Sequence, residues 1–484
     1  MSSSTSTSSV VAKSGVTAQL DALKLINYLP EDSPHDTMWT NWNPAVLSTD
    51  FARIRSLHAN TVRVTVFPPH AYYGYPQPTT VMLQRLHQLV QIASDTGIRV
   101  QLALFDSFTT WSDIAGSEQW ARSVLQGYAN DKEIAFVDIH NELDPDDPQQ
   151  VAWAKTMLPF VKSIVGSVLV TVSKDDYLGP DAFCRLTREL APVTPDFWDW
   201  HFYGVEGLAA GFFERVKACA APLPLYLGEI GVATYPDSFI NELPNSTAAY
   251  DAYQEYYFRV IADAARRLDL PPIGPWILTD LNSSGAAPDE ILRYYYFGLF
   301  RSDGTPKPAA AFVSSYFAGK PISQSFNSNF EQSVTTPSGL LPALWRIWDA
   351  GDGSLAWDDS VGHSSAASLK VSNTDANGSG MWVVPINAHV VPRQVVNASV
   401  WAKGENSAGY NLLSVSFFDS TGVYCGAVES KTLASGSRGW TQLTATGKAP
   451  RCANYVRLYL KSFSNTGDVW FDDVKYSAEP APPG

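Results

Sequence analysis

The sequence predicts an α/β chain in two parts. A (β/α)8 TIM barrel occupies residues 20–320, and an antiparallel, jelly-roll-like β-sandwich occupies residues 321–477. Three observations carry this. Strand-like and helix-like segments alternate through the first part, and eight strands can be counted. From about residue 323 the helical period vanishes, and short alternating runs separated by Gly, Asn and Ser replace it. The length of 484 residues suits one large barrel plus a further domain.

The elements follow in order. Residues 1–19 open with MSSSTSTSSVVAKSG, which lacks a hydrophobic stretch and reads as a disordered leader, not a signal peptide. Leu23–Leu29 reads as strand one, followed by a helix over Ser48–Leu57 with Phe51, Ile54 and Leu57 on one face. Thr61–Phe67 is strand two, and a helix over Thr79–Thr96 stops at Gly97. Ile98–Phe105 and Ile134–His140 are strands three and four, and a helix over Pro148–Val165 stops at Gly166. Val168–Val172, Phe197–Tyr203, Leu225–Gly228 and Ile273–Asp280 complete the eight, with helical patterns near 181–190, 207–219 and 247–268. Such alternation implies right-handed βαβ units and a parallel sheet. In the second part, runs such as Ser368–Ser372, Asn397–Ala402, Leu413–Asp419 and Asp468–Tyr476 read as sandwich strands, before a Pro-rich tail over 478–484.

Composition narrows the partners. The chain carries 34 basic and 48 acidic residues, a net charge of −14, which argues against a nucleic-acid partner. No run approaches the roughly 20 apolar residues of a membrane span. A neutral polymer such as a polysaccharide is compatible with the charge, and 15 Trp and 22 Tyr supply flat rings that suit sugar faces. Four cysteines allow one bridge in each half, with Cys425 and Cys452 better placed than Cys184 and Cys219. No cysteine–histidine spacing of a zinc site is present.

A barrel of this kind presents its reactive groups at the C-terminal ends of its strands. Strand four ends in His140-Asn141-Glu142-Leu143-Asp144-Pro145 and strand seven in Leu227-Gly228-Glu229-Ile230-Gly231. These strands face one another across the barrel mouth, so Glu142 and Glu229 are expected to converge on one substrate atom. Glycoside hydrolysis needs such a pair: one carboxylic acid protonates the leaving oxygen, and the other attacks or activates water. Arg63 lies inside strand two and needs a partner if buried, for which a carboxylate nucleophile is the natural choice. His201 and Tyr203 share one side of strand six, where a Tyr hydroxyl can hold the nucleophile ionised. Trp276 on strand eight suits a sugar platform, Trp39, Trp42 and Trp111 suit outer subsites, and Asp106 suits a sugar hydroxyl. His140 and Asp144 flank Glu142 as supports.

Together, the Arg on strand two, Asn-Glu on strand four, His-x-Tyr on strand six, Gly-Glu-x-Gly on strand seven and Trp on strand eight resemble the clan of retaining β-glycosidase barrels. Within it, glycoside hydrolase family 5, the cellulase and mannanase family, is the most similar. The resemblance implies a secreted, retaining hydrolase of β-glucan or mannan, endo-acting, needing no catalytic cofactor, with an exo-acting enzyme of the same clan or a non-catalytic carbohydrate binder as alternatives. It makes Glu142 the general acid/base and Glu229 the nucleophile. Asn141 would hold the sugar 2-hydroxyl, Arg63 and Tyr203 would tune Glu229, His201 would lie near the acid/base, and Trp276 would stack under the sugar. The sequence departs at the end of strand three, where many members carry a His and this chain reads Leu104-Phe105-Asp106-Ser107.

The second part resembles carbohydrate-binding modules of the family 4, 9 and 22 type. That implies a structural Ca²⁺ joining Glu331 to Asp472. Trp345, Trp348, Trp382 and Tyr410 are its candidate sugar-contact rings, some of which must be core.

Overall fold

The computed structural model describes residues 15–479 except 36, 69–73, 236–245, 283–292, 323–325, 337–338, 350, 352 and 377. The leader over 1–14, part of the expected join near 319–325 and the end of the Pro-rich tail lie outside the described residues. The chain forms two compact units: one comprises Met1–Phe202, Arg215–Ile230 and Ala265–Pro275, and the other Tyr203–Glu214, Gly231–Ala264 and Trp276–Gly484.

The first unit opens with α1 (Gly15–Asp21), where a leader was expected, and Leu20 of this helix is fully buried. It continues through β1 (Leu25–Asn27), α2 (Thr37–Thr40), α3 (Pro44–Ser56), β2 (Thr61–Thr65), α4 (Thr80–Asp95) and β3 (Arg99–Ala103). Next come α5 (Ile114–Leu125), β4 (Ile134–Asp138), α6 (Pro148–Val165), β5 (Leu169–Thr171), β6 (Ser173–Lys174), α7 (Pro180–Leu190) and β7 (Trp198–Phe202). α8 (Ala209–Ala220) and β8 (Leu225–Ile230) follow. β1 to β5 pair in parallel in chain order, and β6, β7 and β8 do the same. β5 and β6 make the fifth stave, interrupted at Val172. Residues 273–275 supply the closing stave: Ile230 donates its N–H to Gly274 O at 2.9 Å, and Asn27 donates to Pro275 O at 3.1 Å.

Helix starts follow local chemistry. Asn43 accepts from the Ala45 and Val46 amides with Pro44 in the first turn, so α3 begins four residues before the expected Ser48. Thr79 caps α4, and Asp147 caps α6 ahead of Pro148. α5 was not expected; Asp113 caps it by accepting from Gly116 N–H at 2.9 Å, and Trp120, Val124 and Leu125 bury its inner face. Cys184 and Cys219 are disulfide-bonded in this unit, and Cys425 and Cys452 in the other.

Among the described residues, the second unit contains α9 (Thr247–Arg267, whose last turn belongs to the first unit), α10 (Pro308–Phe317) and twelve antiparallel strands. The strands are β9 (Ser333–Thr336), β10 (Gly339–Pro342), β11 (Arg346–Asp349), β12 (Ser354–Asp358), β13 (Ser368–Asn373) and β14 (Ser379–His389), then β15 (Val395–Ser407), β16 (Tyr410–Phe418), β17 (Tyr424–Glu429), β18 (Gly436–Lys448), β19 (Tyr455–Phe463) and β20 (Gly467–Ala478). β9 and β10 form a hairpin, and the others make two five-stranded sheets in the orders β11-β14-β19-β16-β17 and β12-β13-β20-β15-β18. Trp345, Trp382, Val400, Leu413, Phe417, Leu458 and Phe471 fill the core between them. Trp345 and Trp382 are therefore packing residues and not sugar-contact rings. Their indole N–H groups donate to Asn327 O and Lys370 O, both at 3.2 Å, which satisfies the one polar atom each ring carries. Trp348 and Tyr410 are exposed. Within the same unit, Tyr250, Tyr253 and Tyr256 of α9 pack with Leu344 and Phe326.

Candidate active site

The site is built inside the first unit. On β2, alternation sends Arg63 into the barrel, where it is 3% exposed. It forms an ion pair with Glu229, donates to Asn27 Oδ1 at 3.2 Å and to Asn141 Oδ1 at 2.6 Å, and lies 3.9 Å from Asp138. Burial alone would lower the Arg63 pKa, but the carboxylates of Glu229, Asp138, Asp199 and Asp106 outweigh it and push it up. Asn27 in turn donates to Gly228 O at 2.9 Å, tying β1 to the strand that carries Glu229.

His201 and Glu229 are register partners on β7 and β8. The His201 ring is fully buried, and its Nδ1 lies 2.9 Å from Glu142 Oε1 and 3.5 Å from Glu229 Oε1. Burial drives its pKa down to about 3, so the ring is neutral, with Nδ1 facing the two carboxylates. One oxygen of Glu142, one of Glu229 and a His201 ring nitrogen all lie within 4.8 Å of one another. This trio has the donor types of a metal site, yet a divalent ion there would face the Arg63 guanidinium, a like charge. The spacing suits two carboxylates acting on one substrate.

Burial raises the Glu142 pKa, only partly offset by Arg63 and Lys174. That is the direction a proton donor needs. Glu142 also adopts φ +60°, a left-handed conformation that side chains other than Gly seldom take. Deeper in the barrel, Asp138 and Asp199 are fully buried; burial pushes Asp138 up to about 7 and Asp199 well above the carboxylate range.

Other expected residues fall around this centre. Asp106 is half-buried and accepts from Ser107 Oγ at 3.1 Å; burial raises it, Arg63 lowers it and Glu142 raises it again, so it shares the same field. Trp42 stacks on buried Trp39 at 5.9 Å and donates to Gln88 of α4 at 2.9 Å, so its face and its N–H are engaged in packing. Trp111 lies 4.9 Å from the ring of buried His140, whose pKa burial lowers to about 3. Asp144 is exposed and accepts from the Asp146 amide at 2.9 Å, a local turn contact. Tyr203 and Trp276 belong to the second unit; Tyr203 packs edge-on against Phe297 at 5.8 Å, and Trp276 is half-buried. Asn27, Asp138, Ser173 and Asp199 were missed. Their signal was a polar residue in an apolar strand, which demands a buried partner.

In the sandwich, Glu331 accepts from Ala367 N–H at 2.8 Å, and Asp472 accepts from His363 N–H at 2.6 Å. Two carboxylates from separate segments thus grip one loop. Burial pushes Asp472 up to about 6, and the neighbouring Asp473 adds to the rise.

A parallel barrel with paired carboxylates at its mouth is the arrangement that glycoside hydrolysis needs. Residues 12–239 match the family described as Cellulase (glycosyl hydrolase family 5). Among solved structures, the chain is similar to the GH5_18 protein of Streptomyces cattleya in complex with Manb1-4GlcNAc (16% identity, TM-score 0.51, covering 63% of this chain and 83% of that one). It is also similar to an exo-beta-1,4-mannosidase from Opitutaceae bacterium strain TAV5 (19% identity, TM-score 0.50, covering 61% of this chain and 59% of that one). A third is the GH5_18 protein of Bifidobacterium longum subsp. infantis (17% identity, TM-score 0.50, covering 63% and 81%). These likenesses show the fold. No curated protein matches the chain.

Proposed function

We propose that the chain hydrolyses β-linked mannan- or glucan-type saccharides by double displacement, with Glu229 as nucleophile and Glu142 as acid/base. Glu229 attacks the anomeric carbon while Glu142 donates its proton to the leaving oxygen; water deprotonated by Glu142 then releases the sugar and restores both groups. The observation that carries this reading is the approach of the two carboxylates to within 4.8 Å. That fits the roughly 5–5.5 Å separation of retaining enzymes and not the roughly 6.5–9.5 Å that leaves room for an inverting water. Arg63 paired to Glu229 and burial around Glu142 support the split of roles. Asn141, held by Arg63, would meet the 2-hydroxyl, and Asp106 beside them would add a further saccharide contact.

Endo action on a polymer is the reading the sandwich favours, as a carbohydrate-binding module with Glu331 and Asp472 holding calcium. Exo action on a β-mannoside is the second reading, favoured by the names of the similar structures. The disulfides Cys184–Cys219 and Cys425–Cys452 support a secreted protein, since such bonds persist in oxidising compartments.

The test is Glu229→Ala. It should lower kcat by about 10⁴-fold or more, and added azide should yield a glycosyl azide of inverted anomeric configuration. Activity within tenfold of the parent would refute the assignment. Product lengths over time on mannan and β-glucan separate the two modes: a ladder of oligosaccharides means endo, and a single small sugar from the outset means exo.

A further inference from the structure

We propose that Ser173, oriented by Asp138, is the positioning residue that aims the carboxyl of Glu142; the proposal rests on the reading of Glu142 as acid/base. The geometry is specific. The peptide planes on both sides of the Glu142 Cα end on Ser173. Glu142 donates its N–H to Ser173 Oγ at 3.0 Å, and Leu143 donates its N–H to Ser173 O at 3.0 Å. Both torsions of Glu142, including its φ of +60°, are thereby fixed by one residue on the next stave. Ser173 is itself held twice by Asp138, its N–H donating to Oδ1 at 3.1 Å and its hydroxyl to Oδ2 at 2.8 Å. Asp138 also accepts the His140 N–H at 3.3 Å, which fixes the start of the same turn.

Ser173 and Asp138 are fully buried, so water does not replace a lost partner. A hydroxyl is the group that accepts from one neighbour while donating to another. With the backbone of Glu142 set in this way, its carboxyl meets His201 Nδ1 at 2.9 Å, on the side where Glu229 also approaches. Ser173 touches no reacting atom; it acts through Glu142.

The experiment compares kcat/KM on phenyl and 2,4-dinitrophenyl β-mannosides, using the full chain. Ser173→Ala should lower the value for the phenyl glycoside by about 10²-fold, the scale of a misplaced catalytic group, and leave the dinitrophenyl glycoside, which needs no acid, little changed. Ser173→Thr keeps the hydroxyl and should restore most of the loss. In a Glu142→Ala background, Ser173→Ala should add nothing, because the two act as a unit. Equal losses on both glycosides, or an undiminished effect in that background, would overturn the proposal. If Glu142→Ala shows the leaving-group split and Ser173→Ala does not, only this proposal fails. If Glu142→Ala alone shows no split, the acid/base reading falls and takes this one with it. Should Ser173→Ala not fold, Ser173→Cys, whose sulfur is a weak acceptor, makes the same comparison.

Discussion

The interior of the barrel holds Asn27, Arg63, Gln101, Asp138, Asp199, His201 and Glu229, whereas the sandwich core around Trp345, Trp382, Leu413 and Phe471 is apolar. In the sandwich, packing and the hydrophobic effect carry the centre of the core, with buried polar residues such as Asn411, Ser462 and Asp472 beside it. In the barrel, charges are kept out of water at a cost that only mutual pairing offsets. The barrel's buried charge is gathered around Arg63 and Glu229. An apolar core leaves any ligand contact of the sandwich to its surface.

The comparison can be broken most sharply at Glu142. Glu142→Ala should lower kcat/KM for poor leaving groups by about 10² to 10⁴-fold while sparing activated aryl glycosides. In the parent enzyme, the acid form is the active one and burial raises its pKa. Activity on poor leaving groups should therefore fall as pH rises through that raised value, and a pH–rate profile of the variant should lack this limb. A smaller effect is expected in the sandwich. If Glu331 and Asp472 hold calcium, chelation should lower the thermal midpoint by about 2–4 °C for each kcal/mol of lost stability, and added calcium should restore it; an unchanged midpoint counts against the ion. The smallest effect concerns the acids beneath the site. Burial raises Asp138 and Asp199, so the folded chain retains protons that the unfolded chain has released. Stability should fall as pH rises from the ordinary carboxylate range toward about 7, the Asp138 value. Asp199→Asn should make the slope of melting temperature against pH shallower, and an unaltered slope would remove Asp199 from that account.

Much of the barrel was legible because strand and helix periods are local properties. The ends of β4 and β8 could be found for the same reason, and with them Glu142 and Glu229. Helix α5 escaped because its start depends on Asp113, an acid among several polar residues that nothing nearby singles out. Ser173 and Asp138 escaped for a deeper reason: they lie 35 residues apart, and their value is the contact between them. Among the sandwich tryptophans, Trp345 and Trp348 stand three residues apart with opposite fates, a choice made by β11 and its bulge and invisible in composition.

The contact of α9 with the sandwich bears on what can be dissected. The Tyr253 hydroxyl donates to Glu206 Oε2 at 2.6 Å, and the Arg346 guanidinium covers the same ring at 5.6 Å. A chain shortened at residue 320 would leave three tyrosines bare and one carboxylate without its neighbouring cation. Such a fragment would invite self-association. The residues beyond 320 thus brace α9 inside the second unit, whose stretches of chain cannot be traded like beads on a string.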